Sequence, residues 1–280
     1  MTISIGVAEM KRLNVLDIPK LAHTEAKGLS QTEYERVVAL LERLAGDDWQ
    51  QATYCTEWNV QEMVAHLAGA VTGSSSFAEF KHQNMQNPYL REFDEPIDGI
   101  NKLQLVERAD KTPAELIAEF RQNGQKAVDN RQNLPWLVRK VIHLPMKPLG
   151  FASLEYLMDT IYPRDQWMHR YDICAATGKK MVVTGGHDGR LVALVLRDVA
   201  KKLRKTLGSR TIVLQLTGAL AAEYQFGNQA TPDCTVMMDF FDFNLRASGR
   251  ISVAEAMGRT AVSGDRDTAT WFLENLEVPY

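Results

Sequence analysis

Cysteine is scarce in this chain: Cys55, Cys174 and Cys234 are the three among 280 residues. An odd number, spread that widely, excludes a disulfide framework and a cysteine-rich zinc site. It reads as three buried thiols in a reducing compartment. Basic blocks are also missing. With 32 Lys and Arg against 35 Asp and Glu, the net charge is −3, and the footprint of a general nucleic-acid binder is absent. No apolar run is long enough for a membrane span. The opening stretch MTISIGVAEMKRLNVLDI breaks its short apolar patches with charged residues, unlike a secretory signal. Gly185-Gly186 lacks the longer glycine pattern of a phosphate cradle and reads as a turn. These absences point to a cytoplasmic protein with neither a nucleic-acid nor a membrane partner.

What is present is an ordinary globular composition, long enough for two modest domains with buried cores. Ser30 and Glu33 form an S-x-x-E capping pattern, which predicts a first helix from Ser30 to Gly46. Asn59 and Glu62 repeat the signal for a second helix, whose apolar face is Val60, Met63, Val64, Leu67 and Val71. Residues 84–100 read as a loop around Pro88 and Pro96. Thr112-Pro113-Ala114-Glu115 starts a third helix that reaches about Asn130. Pro135, Pro145 and Pro148 then break a short segment. A fourth helix runs from near Ser153 to Gly178, with Pro163 forcing a kink or a fresh start.

After Gly178 the period changes. Lys179–Thr184 reads as a strand and Asp188–Leu207 as an amphipathic helix. Strands follow at Thr211–Leu216, Glu223–Phe226 and Cys234–Asp239, then a short helix at Phe240–Ala247, a strand edge at Ala261–Ser263 and a closing helix at Thr268–Leu276. The expectation is an α+β protein of two domains. A four-helix bundle covers 1–180, with residues 1–29 as a lead-in along its surface, and a smaller α+β domain covers 181–280.

The stretch YPRDQWMHRYDI, Tyr162–Ile173, carries the chemistry. Asp165 and His169 are four apart, one turn apart on one helix face, in a seam with Leu157, Ile161 and Ile173. A carboxylate and an imidazole in an apolar seam need partners. They could satisfy each other, or hold a metal ion together. His66, in VQEMVAHLAG on the flank of the second helix, is a third donor, and the small residues Ala65, Ala68, Gly69 and Ala70 beside it let a helix or a ligand come close. Taken singly, His66 reads as a core histidine and Asp165–His169 as a hydrogen-bonded helical pair. Taken together they make three ligands with one position open, for which zinc is the default divalent ion. Asp172 is expected to pair with Arg164 or Arg170 and support the site, and those two arginines could instead hold an anionic substrate. Arg246 and Arg250 are further substrate candidates if the second domain folds over the bundle. His23, His82, His143 and His187 read as surface residues, and Cys55 and Cys174 as small buried hydrophobes.

Trp58 with the AHLAG stretch around His66, the RDQWMHRYDI stretch with Asp165, His169 and Asp172, and the Ala-Thr-Gly at 176–178 resemble the DinB-type metal-binding bundle of mycothiol-dependent maleylpyruvate isomerases and related thiol transferases. TVMMDFFDFNLRASGR, followed by AVSGD and a last helix, resembles the sterol-carrier-like domain appended in the same family. The resemblance implies that His66, Asp165 and His169 hold the metal and that mycothiol is the cosubstrate. Where that family typically has a glutamate, this chain has Asp165, one methylene shorter. A divalent ion lowers the pKa of whatever fills its open position. Water there implies a hydrolase. A small-molecule thiol implies a thiol transferase or a thiol-assisted isomerase acting on a small electrophilic, maleylpyruvate-like substrate, and the resemblance favours the thiol. A reading of another class is an apolar-ligand-binding protein whose metal site is vestigial or structural.

Overall fold

The computed structural model describes residues 12–280. The first eleven residues of the expected lead-in lie outside the described residues. Contacts divide the chain into two compact units. One comprises 21–145, 151–182 and Tyr280; the other comprises 12–20, 146–150 and 183–279. The fold class is α+β, as the change of period implies.

In chain order, the described elements are β1 (Leu13–Asn14), α1 (His23–Leu41), α2 (Val60–Gly73), α3 (Phe77–Met85), α4 (Pro96–Val106), α5 (Pro113–Asn133) and α6 (Trp136–Val141). A hairpin of β2 (His143–Met146) and β3 (Gly150–Ser153) follows, then α7 (Leu154–Tyr156), a π-helical turn at Leu157–Ile161, and α8 (Tyr162–Thr177). The rest is α9 (Asp188–Leu203), β4 (Ile212–Thr217), β5 (Ala222–Phe226), β6 (Cys234–Asp239), α10 (Phe240–Ala247), α11 (Val253–Gly258), β7 (Ala261–Gly264) and α12 (Arg266–Glu274). No described helix is long and apolar enough to cross a membrane.

In the helical unit, α2 is the central element, with nearly its whole surface buried. Its start is fixed by a reciprocal cap: Glu62 N donates to Asn59 Oδ1 and Asn59 N donates to Glu62 Oε2, both at 2.9 Å. It packs on α5 and α8, and both of those pack on α1 or its neighbouring turn. Val37, Leu41, Met63, Leu67, Leu116, Phe120 and Ile173 meet in the shared core. The small residues beside His66 are used by a helix: a Cβ on Gly69 would lie 2.5 Å from Gln104 Cγ of α4. Gly178 ends α8 in the left-handed conformation at φ 66°.

Several sequence expectations are corrected here. Helix α1 begins at His23, seven residues before the S-x-x-E pattern. Glu33 caps nothing because its carboxylate, fully buried, accepts from Arg170 Nε at 2.6 Å and Nη2 at 3.1 Å. The loop expected at 84–100 holds the end of α3 and the start of α4, with Pro96 at a first-turn position where its missing N–H costs nothing. Lys179–Thr184 forms no strand. Its carbonyls are taken by side chains instead: Arg170 Nη1 and Arg36 Nη1 both donate to the Val182 carbonyl. Of the prolines expected to break the chain, Pro145 lies within the first strand of a paired hairpin and Pro148 in its turn. Pro163 coincides with a fresh helix start after the π-helical turn.

In the sheet unit the strand order is β1-β5-β4-β6-β7. The pairing of β4 with β6 is parallel, and β4–β5 and β6–β7 are antiparallel. Leu13 and Asn14 pair in parallel with Tyr224 and Gln225, so this part of the lead-in extends the sheet and does not run along the helices as expected. Ile212, Val213, Leu214 and Leu216 of β4 are buried, and in β6 the alternate residues Cys234, Val236 and Met238. Phe272 of α12 meets Phe226 with ring centroids 5.0 Å apart.

The Glu33–Arg170 pair ties α1 to the helix that carries Asp165 and His169. Removing one partner leaves the other charge buried and unpaired. Glu33→Ala is therefore expected to lower stability by roughly 3–5 kcal/mol, read as a shift in the urea midpoint. A change within experimental error would show that the pair does not clamp the helices.

Candidate metal centre

The side chains of α8 are set by its first turn. Tyr162, Asp165 and His169 follow at spacings of three and four, so they share one stripe of the helix. That stripe faces His66 of α2. His66 Nε2 lies 3.6 Å from Asp165 Oδ2, and His169 Nε2 lies 3.3 Å from Asp165 Oδ1. The two imidazoles meet edge to face with centroids 5.0 Å apart. Both histidines are buried, while the Asp165 side chain keeps 21% of its surface exposed. The three residues expected from the sequence thus come together, each with one donor atom in a common cluster.

The second nitrogen of His169 is committed. Nδ1 donates to Asp172 Oδ2 at 3.1 Å, and Nε2 is the atom that faces Asp165. Asp172 therefore supports the site through His169. Burial opposes the charged form of His169, but the Asp165 and Asp172 carboxylates outweigh it and hold its pKa well above the ordinary imidazole value. Burial likewise opposes ionisation of Asp165, and the attraction and hydrogen bonding of His169 lead the effects that overcome it, so the carboxyl titrates below the usual range.

His66 is different. Neither ring nitrogen has a hydrogen-bond partner, although both are shut off from solvent. Its 3.6 Å approach to Asp165 is too long for a hydrogen bond. A buried imidazole with both nitrogens idle is costly unless something else engages it. Two donors bound ~2.0–2.2 Å from one tetrahedral ion stand roughly 3.3–3.6 Å apart. The 3.3 and 3.6 Å separations, which run to different oxygens of Asp165, are of that order, and one donor atom from each of the three residues lies within 4.8 Å of the other two. Donor type, spacing and the idle nitrogens of His66 all fit a divalent metal ion.

Trp58 lies over both histidines, with its ring centroid 5.0 Å from that of His66 and 6.0 Å from that of His169. Cys55, read from the sequence as a small buried hydrophobe, is half-buried and places its thiol 3.9 Å from Asp172 Oδ2. With His169 and Asp172 it forms a second donor group. No ligand spacing in the sequence marks it, because it comes from the loop before α2.

The other expected residues are spread more widely. Arg170 is occupied by Glu33 and the Val182 carbonyl. Arg164 is fully buried and stacks on Tyr280, 5.6 Å from the ring centroid. Arg246 donates to Glu277 Oε1 at 2.6 Å and to the Leu273 carbonyl at 2.9 Å, within the sheet unit. Arg250 follows α10 and is partly buried. Two histidines depart from the surface reading: His187 is buried, and His23 is held between Asp159, at 2.8 Å, and the Gln132 carbonyl, at 3.0 Å.

Fold and donor cluster together describe an α+β protein with a buried histidine–carboxylate centre between helices. Residues 30–174 match the model of the mycothiol maleylpyruvate isomerase N-terminal domain, and the chain belongs to that family. Two crystal structures of the mycothiol-dependent maleylpyruvate isomerase, one of them of a histidine-to-alanine mutant, are similar in fold. Each has a TM-score of 0.56 at 12% identity, over 89% of this chain and 95% of the other. Comparison with curated proteins gives no match.

The idle nitrogens of His66 carry a testable cost. In metal-free protein, His66→Leu removes two buried unsatisfied atoms and keeps most of the volume. It is expected to raise stability by roughly 1–2 kcal/mol, measured by urea denaturation in the presence of chelator. Lower stability in the variant would mean that His66 is already satisfied without an ion.

Proposed function

We propose that the chain is a divalent-metal-dependent enzyme that uses a small-molecule thiol, mycothiol, as nucleophile. Its reaction is thiol transfer to, or cis–trans isomerisation of, a maleylpyruvate-like electrophile. The observation that carries this reading is the convergence of His66, Asp165 and His169 with spacings suited to one ion. Family membership supports the choice of thiol over water. Within this reading, α1, α2, α5 and α8 form a DinB-like four-helix bundle reaching to about residue 180, and the sheet unit is its sterol-carrier-like companion.

A free thiol has a pKa of ~8.5 and is only a few per cent ionised at neutral pH. A divalent ion held by the three side chains, zinc by donor type, would supply the Lewis acidity that keeps the sulfur ionised. The protein's part is to present that centre. Asp172 fixes the His169 ring and its tautomer, Trp58 covers the two imidazoles, and the exposed edge of Asp165 marks the side open to reactants. The ionised sulfur adds to one carbon of an activated double bond, and the displaced electron pair moves onto the conjugated carbonyl. The former double bond is then single and rotates. Return of the electron pair expels the sulfur and gives the geometric isomer, whereas capture of a proton at carbon gives the conjugate.

A second reading rests on a separate observation. The sheet unit contains a cavity of about 330 Å³ whose apolar lining includes Val15, Leu16, Leu203, Leu207 and Phe226. It would suit an apolar-ligand-binding protein with a structural metal site.

Two measurements separate these possibilities. Metal analysis of purified wild-type protein is expected to give one divalent ion per chain, and Asp172→Asn to weaken its binding by roughly 10–100-fold. Metal-loaded wild type is expected to turn over a maleylpyruvate-like acceptor only when mycothiol is added, and His169→Ala to lose at least about 100-fold of that activity. Turnover without thiol would indicate a hydrolase. Activity untouched in His169→Ala would defeat the mechanism.

A further inference from the structure

The helical unit holds a buried cation that no sequence motif marks. Arg131 lies two residues from the end of α5 and is 4% exposed. Its Nε and Nη1 atoms are sealed from solvent and have no hydrogen-bond partner. The guanidinium carbon sits 4.6 Å from the ring centroid of Tyr162. Tyr162 begins the stripe that continues to Asp165 and His169, so Arg131 stands over the same face of α8, about one turn before the donor cluster.

A guanidinium is costly to bury, and the face of one tyrosine recovers only part of that cost. Four other buried arginines of the described protein are tied down by carboxylates, Arg170 by Glu33, Arg108 by Glu119, Arg139 by Glu155 and Arg246 by Glu277, while Arg164 lies over Tyr280 with an Nε that is likewise not hydrogen-bonded. Arg131 has the planar donor fork and the charge to engage a carboxylate in two parallel hydrogen bonds. Burial lowers its pKa to about 10 against the opposing pull of Tyr162, Asp165 and Asp159, so it remains a cation at neutral pH. One reading of Arg131 is general charge balance for those two carboxylates. Buried donors without partners fit a missing anionic partner better, because charge balance alone leaves Nε and Nη1 unsatisfied.

We propose that Arg131 binds a carboxylate of the substrate handled at the His66–Asp165–His169 centre and thereby selects a dicarboxylate over its mono-ester. This inference rests on the function proposed above, since it requires that the centre handle substrate. Arg131 takes the part that the sequence suggested for Arg164 or Arg170.

The test is equilibrium binding, by calorimetry, of two probes to metal-loaded protein: maleate and its monomethyl ester. Wild type is expected to bind maleate at least about 10-fold more tightly than the ester. Arg131→Gln should lose that preference by weakening maleate about 10-fold or more while changing the ester less than about 3-fold. Arg131→Lys, which keeps the charge, should recover part of the loss. Metal content is measured on each variant. Equal weakening of both probes, no weakening of either, no preference in the wild type, or loss of the metal in Arg131→Gln would each overturn the assignment. The outcome is independent of turnover. A wild type that discriminates the probes through Arg131 yet shows no thiol-dependent reaction would defeat the proposed function and leave the anion site standing.

Discussion

The structure of the helical unit depends on one constraint: α8 buries charge and must satisfy it. Arg164, His169, Arg170 and Asp172 are all buried on this helix, with Asp165 partly so. Each buried charge needs a partner from within the protein, because water is not available to solvate it. Glu33 of α1 answers Arg170, and Asp172 answers His169 along the same helix. The Glu33–Arg170 pair has fixed geometry and so holds α8 in register against α1, while Asp172 fixes the His169 ring within α8. The apolar faces of α2 and α5 supply the attraction that closes the unit, but apolar contact alone tolerates sliding. Directional pairs do not, and they leave the stripe of Tyr162, Asp165 and His169 turned toward His66.

That constraint also accounts for what the sequence made legible. The i,i+4 spacing of Asp165 and His169 is local, so it survives any error about where the helix begins. The reciprocal cap of Asn59 and Glu62 placed α2, and the alternating sequence of Thr211–Leu216 placed β4. Both are short-range signals read from a few adjacent residues. The pairing of His66 with the α8 donors is long-range: donor type and helical placement made His66 a candidate, and the resemblance of the AHLAG and RDQWMHRYDI stretches strengthened it.

What was not legible follows from the same division. The S-x-x-E pattern at Ser30 and Glu33 is a good local signal, and it was overridden because Arg170, 137 residues away, takes the glutamate. Lys179–Thr184 has a strand-like composition, yet arginine side chains capture its carbonyls before a ladder can. Leu13–Asn14 looked like lead-in because two residues carry no period, and its role is defined by β5, some 200 residues later in the chain. Cys55 has no ligand spacing and enters the site only through the loop before α2. In each case a tertiary partner decides between local alternatives of similar free energy.

The shorter arm of Asp165 is the last point that the geometry bears on. A glutamate has one more methylene, about 1.5 Å of reach along an extended side chain, so an aspartate in its place must be brought closer by the backbone. Here both carboxylate oxygens already face donors, one toward each histidine, at 3.6 and 3.3 Å. The π-helical turn at Leu157–Ile161 directly precedes α8 and admits one extra residue per turn, which rotates everything after it. Pro163 then restarts the α-helical ladder at a position where its missing N–H is harmless. The π-helical turn and Pro163 thus set the register from which Asp165 and His169 project toward His66.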